Sequence, residues 1–321
     1  MAEVIEEKAT AAASPDGAAA AMPAVQTVDL SKRFGKTVAL AGLSMTVPRG
    51  EVFGFLGPNG AGKTTAVKLL LGLLTKTSGE AWLLGKPIGD LRTRRRIGYL
   101  PELFRYQTWL SASEVLALHC ELAPLPRSTW QEEIKTVLDT VGLTDRAGDR
   151  VGTFSKGMQQ RLGLGAALLG EPELVFLDEP TSALDPVGRH DVREIIRALA
   201  SRGTAVFLNS HLLSEVEQVC DRVAVVDHGR VIASGTMNEL LSGTVVRVRA
   251  TGLTPADRNK LADFGRLDDE DEQLTFSNLD AERVPELVAA IVGMGGRVYE
   301  VAPRHQTLED RFLQLLEDEE K

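Results

Sequence analysis

Gly57 to Thr65 reads GPNGAGKTT, and no other stretch limits the fold of this chain as tightly. The run Glu51-Val-Phe-Gly-Phe-Leu56 ahead of it is apolar and reads as a buried strand. Behind it, Val67, Leu70, Leu71 and Leu74 recur at helical spacing. A glycine-rich turn between a strand and a helix start, spelled G-x-x-x-x-G-K-[ST], is built to hold phosphate. Gly57, Gly60 and Gly62 can take backbone angles closed to other residues and let the main chain approach an anion. With Pro58, Asn59 and Ala61 they form a loop whose N–H groups, like those of the helix start, point at phosphate oxygens. Lys63 can reach the β- and γ-phosphates and Thr64 can hold Mg²⁺.

The 321 residues suggest about two domains. The formal net charge of −9 argues against a dedicated nucleic-acid binder. No apolar run approaches the roughly 18 residues a membrane span requires, so membrane contact is expected only through a partner. The two cysteines, Cys120 and Cys220, have no metal-type spacing, which with a phosphate site fits a reducing, cytoplasmic setting.

Residues 1–23, rich in alanine and acidic at the start, read as a disordered tail. Val25–Leu30, Val38–Leu40 and Leu43–Val47 look like short strands joined by polar turns. Phe34 lies in the turn Ser31–Gly35, where it either stacks on a purine base or fills a small satellite core. Arg92–Arg96 reads as a solvated helix face or as a contact to an acidic partner, and Ile97–Pro101 as a strand ending at Glu102. Residues 103–165 read as a helical insert. Ser111 with Glu114, and Thr129 with Glu132, each spell a capping box, and Gly142 spells a stop.

Leu174-Val-Phe-Leu-Asp-Glu179 is a hydrophobic strand ending in two carboxylates. Beside a phosphate loop, Asp178 can hold Mg²⁺ and Glu179 can orient or deprotonate an attacking water. Asp185-Pro186 caps and opens the next helix. Thr204–Asn209 reads as another buried strand, followed by His211, which is either structural or in contact with a γ-phosphate at the sheet edge. Asp227-His-Gly-Arg230 is a hairpin signal. Residues 243–321 read as a small α+β domain of three strands and three helices with no catalytic constellation.

These motifs, in this order over 24–242, resemble the ATPase subunit of an ATP-binding-cassette transporter. The discriminating segment is Phe154-Ser-Lys-Gly-Met-Gln-Gln160, which is similar to the family signature LSGGQ but has Phe, Lys156 and Met158 at altered positions. The resemblance implies an α/β P-loop NTPase core with an antiparallel β subdomain and the helical insert. It implies ATP and Mg²⁺ as cofactors. It gives Phe34 the place of the adenine-stacking aromatic, and Lys63, Thr64 and Thr65 the phosphates and metal. Asp178 takes the Mg²⁺ and Glu179 the role of catalytic base. His211 matches the switch histidine, and Asp185 the aspartate of the loop between subunits. Ser155 and Gly157 contact phosphate across a dimer. Glu102 stands where most members have glutamine, which leaves it a metal or water ligand, or a coupling hinge only.

The C-terminal Thr307-Leu-Glu-Asp-Arg-Phe-Leu, with Gly98-Tyr-Leu-Pro-Glu102, resembles ATPases of ABC-2 type exporters. Implied partners are a second copy, as a homodimer closing head to tail, and a separate integral-membrane permease that holds the chain at the cytoplasmic face of the membrane. An importer subunit and a soluble ATP switch of repair, chromosome organisation or translation share the nucleotide motifs. Ser155 follows Lys63 by only 92 positions, with no heptad run, and there is one cassette rather than two. Both features point away from the soluble switches.

Overall fold

The computed structural model describes residues 22–123, 125–241, 244–270, 273–277, 279, 281–305 and 307–319. The tail expected over 1–23 lies outside them except for Met22 and Pro23. Along the chain run β1 (Val25–Phe34), β2 (Thr37–Val47), β3 (Val52–Leu56), α1 (Lys63–Leu70), β4 (Ser78–Leu83) and β5 (Lys86–Pro87). Next come α2 (Leu91–Arg94), β6 (Ile97–Leu100), α3 (Ala112–Leu122), α4 (Trp130–Thr140), α5 (Lys156–Leu168), β7 (Leu174–Asp178) and α6 (Pro186–Ser201). Then follow β8 (Ala205–Asn209), α7 (Leu213–Val219), β9 (Arg222–Asp227), β10 (Arg230–Thr236) and α8 (Met237–Leu240). The last elements are β11 (Thr244–Thr251), α9 (Pro255–Leu261), β12 (Arg266–Glu270), β13 (Gln273–Ser277), α10 (Val284–Gly293), β14 (Arg297–His305) and α11 (Leu308–Glu319).

The central sheet has the order β10-β9-β3-β8-β7-β6. Its pairings are parallel except β9 with β10. Every residue of β3, β7 and β8 is buried, because a parallel sheet is covered on both faces. Alternate residues serve opposite layers. Val52, Leu56, Val175, Leu177, Val206 and Leu208 pack with the helical insert and α6. Phe53, Phe55, Phe176 and Phe207 face the second sheet and α1, their rings 5.1–5.8 Å apart.

That second sheet, β2-β1-β4-β5, is antiparallel. Here the short strands expected between Val25 and Val47 are two long ones. Register shifts along the β1–β2 pair absorb the irregular polar positions that read as turns. Phe34 accordingly ends a strand rather than sitting within a turn.

In the insert, Ser111 and Glu114 close their capping box on α3. Thr129 and Glu132 do not close one on α4. A 3-10 turn over Arg127–Thr129 runs directly into the helix, so Thr129 already has helical angles and its hydroxyl donates to the Pro126 carbonyl at 2.9 Å. The basic cluster is not simply solvated, since Arg96 pairs with Glu173 and Arg94 donates to the Gly72 carbonyl at 3.1 Å.

The C-terminal sheet is antiparallel throughout, in the order β12-β13-β11-β14, one strand more than the three expected. The extra strand, β12, lies at a sheet edge. Helices α9 and α10 cover one face through Leu261, Leu287 and Ile291. Helix α11 leaves this sheet. Leu308, fully buried, joins the same core as Val216 and Val219 of α7, with Phe312 packed alongside. No helix among the described residues is long and apolar enough to cross a membrane.

Candidate nucleotide site

Strands β3, β8 and β7 end side by side, and ligands of open α/β sheets bind at such carboxyl ends. The β3 end turns into the phosphate loop. Gly62 has φ 100°, and a Cβ there would lie 2.4 Å from the Ala39 carbonyl of β2. As the residue capping α1 it offers no side-chain acceptor to the first helical N–H groups, which are left to meet an anion. Gly57 is required for space alone: its φ is not positive, contrary to expectation, but a Cβ would sit 2.2 Å from the Val226 carbonyl. The β9–β10 turn braces the loop, with the Gly229 N–H donating to the Ala61 carbonyl at 3.0 Å.

Lys63 Nζ donates to the Gly57 and Pro58 carbonyls at 2.6 and 3.0 Å. Burial pulls its ammonium below the ordinary lysine range, against the opposing pull of Glu179, Asp178 and Glu102. Those three carboxylates and the lysine therefore share one electrostatic site. Thr64 and Asn59 are exposed beside it, and Thr65, Pro58 and Gly62 are half-buried. Glu102, just past β6, is exposed.

Asp178 is buried at the end of β7, and burial raises its carboxyl above the ordinary aspartate range, opposed by a hydrogen bond from Asn209. Glu179 follows with φ 53°, an angle that favours glycine. Its N–H donates to the Asn209 carbonyl at 2.9 Å, and its own carbonyl accepts Gln160 Nε2 at 3.1 Å. The strained backbone aims the carboxylate at the segment after β8. There it accepts the His211 N–H at 2.9 Å and meets His211 Nδ1 at 2.8 Å. His211 is thus paired with Glu179, a partner the sequence reading did not assign to it. Gln160 and Asn209 were missed altogether. Gln160 closes the signature-like segment, and Asn209 is a polar residue ending an apolar strand, the same cue that singled out Asp178.

A second group lies elsewhere. Ser155 Oγ accepts the Met158 N–H at 3.2 Å and caps α5, and Asp185 accepts the Gly188 N–H at 2.7 Å and caps α6. With Gly157, Arg161 and Leu184 they line a separate open cavity of about 520 Å³ that no phosphate-loop residue enters. Phe34 is 48% exposed, with Lys32 Nζ 4.9 Å from its ring centre. On the flank, past Glu102, a cavity of about 600 Å³ runs between β6 and the insert, with Phe104, Tyr106 and Leu118 on its wall and Arg94, Arg95 and Arg105 on its rim. Burial lifts the Tyr106 phenol to about 12.

A family model described as ABC transporter matches residues 40–182. An uncharacterised ABC transporter ATP-binding protein of Nostoc sp. (strain PCC 7120) is 41% identical over 307 residues, 92% of this chain and 90% of that protein. The Nod factor export ATP-binding protein I of Rhizobium sp. (strain N33) is 37% identical over 220 residues, 68% of this chain and 72% of that protein. A solved ATP-binding subunit of an ABC transporter superposes with a TM-score of 0.63 at 30% identity, over 68% of this chain and 92% of that chain.

Proposed function

The chain belongs to the ABC transporter family as an ATP-binding subunit that hydrolyses ATP, and we propose that it powers an exporter by closing head to tail with a second copy around two ATP molecules. One observation carries this reading. Lys63, Asp178, Glu179 and His211 converge on one site, whereas Ser155, Gly157 and Asp185 line another. Each group is then half of a composite site, and a second copy supplies the missing half. Ser155 and Gly157 of one protomer cover the phosphate held by Lys63 of its partner.

Within the site, Lys63 has a third ammonium hydrogen beyond the two it gives to the loop, and that hydrogen goes to phosphate. Thr64 and Asp178 are the residues that would hold Mg²⁺, which when bound neutralises phosphate charge. Among the described residues no three His, Cys, Asp or Glu side chains group as a metal cage. A hydroxyl and one carboxylate fit an ion that takes the rest of its oxygens from phosphate and water. Glu179 accepts the proton of the attacking water, and His211 fixes the carboxylate that does so. Phe34 stacks on the base. Closure follows from contacts made only in the paired state.

The cavity between β6 and the insert receives a cytoplasmic segment of the permease, and Glu102, in the chain between the lining residues Pro101 and Phe104, relays closure. The export direction rests on likeness to the Nod factor export protein. The chain then sits at the cytoplasmic face of the membrane, held there by that permease.

Glu179→Gln tests the mechanism. The expected result is an ATPase rate lower by about 10²- to 10⁴-fold and an ATP-dependent doubling of mass by light scattering. A variant that stays monomeric at saturating ATP, both alone and with the co-purified permease, overturns the paired mechanism.

A further inference from the structure

We propose that Asn209 is a positioning residue for the metal–nucleotide complex: its amide holds the Asp178 carboxylate in the orientation that leaves one oxygen for Mg²⁺. This rests on the reading of Asp178 as the metal-holding carboxylate. Asn209 ends β8, the strand between the phosphate-loop strand β3 and the Asp178 strand β7. Asn209 and Asp178 are register neighbours on parallel strands, so their side chains leave the same face of the sheet. Both are nearly out of solvent, at 4% and 3% exposure.

Asn209 Nδ2 donates to Asp178 Oδ1 at 2.5 Å. The nitrogen must be the end that faces Asp178, because an ionised carboxylate only accepts. Among the described residues no donor reaches Asp178 Oδ2. The hydrogen bond therefore takes one carboxylate oxygen, fixes the rotation of the group, and leaves the other oxygen to a ligand.

The other end of the amide shows what the residue is for. Asn209 Oδ1 is buried and has no hydrogen-bond partner. A buried amide kept for fold stability has both ends satisfied, whereas a half-satisfied one is a net burden that calls for another cause. Here that cause is the grip of its nitrogen on Asp178. Asn209 also accepts the Glu179 N–H, but through its backbone carbonyl. Side-chain substitution leaves that bond in place, so the two contributions separate.

Asn209→Leu keeps the branched heavy-atom shape of the side chain and removes both polar ends. Expected is a rise of about tenfold in the Mg²⁺ concentration that half-saturates ATPase activity, the scale of losing a ligand-orienting partner. Mn²⁺ affinity by electron paramagnetic resonance in the presence of ATP should weaken by the same factor. Binding of a fluorescent ATP analogue in EDTA should stay within twofold of wild type, and the melting temperature of the nucleotide-free protein should fall only modestly, because Asp178 loses its donor. Asn209→Thr, whose hydroxyl can donate to Asp178, should recover part of the metal affinity, and it decides the matter if the leucine variant does not fold. Unchanged Mg²⁺ and Mn²⁺ dependence in a folded variant overturns the inference. So does a fall in melting temperature with no shift in metal dependence, which marks a structural residue. If wild-type activity itself is independent of Mg²⁺, it is the metal reading of Asp178 that falls.

Discussion

Glu179 and Gly62 are both held where side chains are disfavoured, and they are handled differently. Glu179 bears φ 53° with a full side chain, at a cost of about 1–2 kcal/mol. The Asn209 carbonyl, Gln160 and His211 together hold it there. Gly62 meets φ 100° by having no side chain. Gly62→Ala adds both left-handed strain and a methyl carbon 2.4 Å from the Ala39 carbonyl. Stability should fall by more than about 1 kcal/mol, read from the denaturant midpoint, with binding of a fluorescent ATP analogue lost in parallel. Asp178 adds a pH effect of definite sign. Its pKa is raised above 3.8, first by burial and then by Glu102 and Glu179. The native state therefore binds more protons than the unfolded one between 3.8 and its own higher value. Metal-free protein should lose stability as pH rises through that window. Asp178→Asn should abolish the loss in denaturation curves recorded in EDTA.

At the scale of elements, two stretches of the insert with the same spelling behave differently. Ser111-x-x-Glu114 closes reciprocally, with Glu114 Oε2 accepting the Ser111 N–H at 2.7 Å and Ser111 Oγ accepting the Glu114 N–H at 3.2 Å. Thr129-x-x-Glu132 does not close, because the turn before it has already set helical angles. Ser111→Ala should cost about 1 kcal/mol, and Thr129→Ala less than about 0.5 kcal/mol, compared by urea denaturation. The hydrogen bonds from Ser111 pull the Glu114 carboxyl below 4.5. Its contribution is present in full above 4.5 and is lost as pH falls through the lower folded-state value. Protection factors along α3, exchange rates divided into the intrinsic rate at each pH, should fall in acid, and Glu114→Gln should remove that dependence.

Across the whole molecule, the C-terminal sheet is tied back to the cassette by α11. Leu308 is buried beside α7, and its N–H donates to Glu217 of α7 at 2.9 Å. Helix α7 begins two residues after His211, so the C-terminal part is anchored to the segment that carries the Glu179 partner. Leu308→Ala should remove about 2–5 kcal/mol, seen by calorimetry as a lower melting temperature of the cassette itself. If the cassette transition stays in place while only a C-terminal transition moves, this packing does not support the cassette.

The division between sequence and tertiary structure follows the range of the forces involved. The turn from β3 into α1, the end of β7 at Asp178 and the α6 start at Asp185-Pro186 were legible as structure because each is a contiguous run whose own residues set its local backbone pattern. The extent of β1 and β2 was not, because their register shifts are set by pairing, nor was β12, a charged sequence that apolar alternation cannot reveal. The bond of His211 to Glu179, the grip of Asn209 on Asp178, the hold of Gln160 on the Glu179 carbonyl and the return of α11 onto α7 were decided by the tertiary structure alone. Each joins residues from separate elements, and only the strand order β3-β8-β7 and the packing of helices onto that sheet bring them within hydrogen-bonding or van der Waals reach.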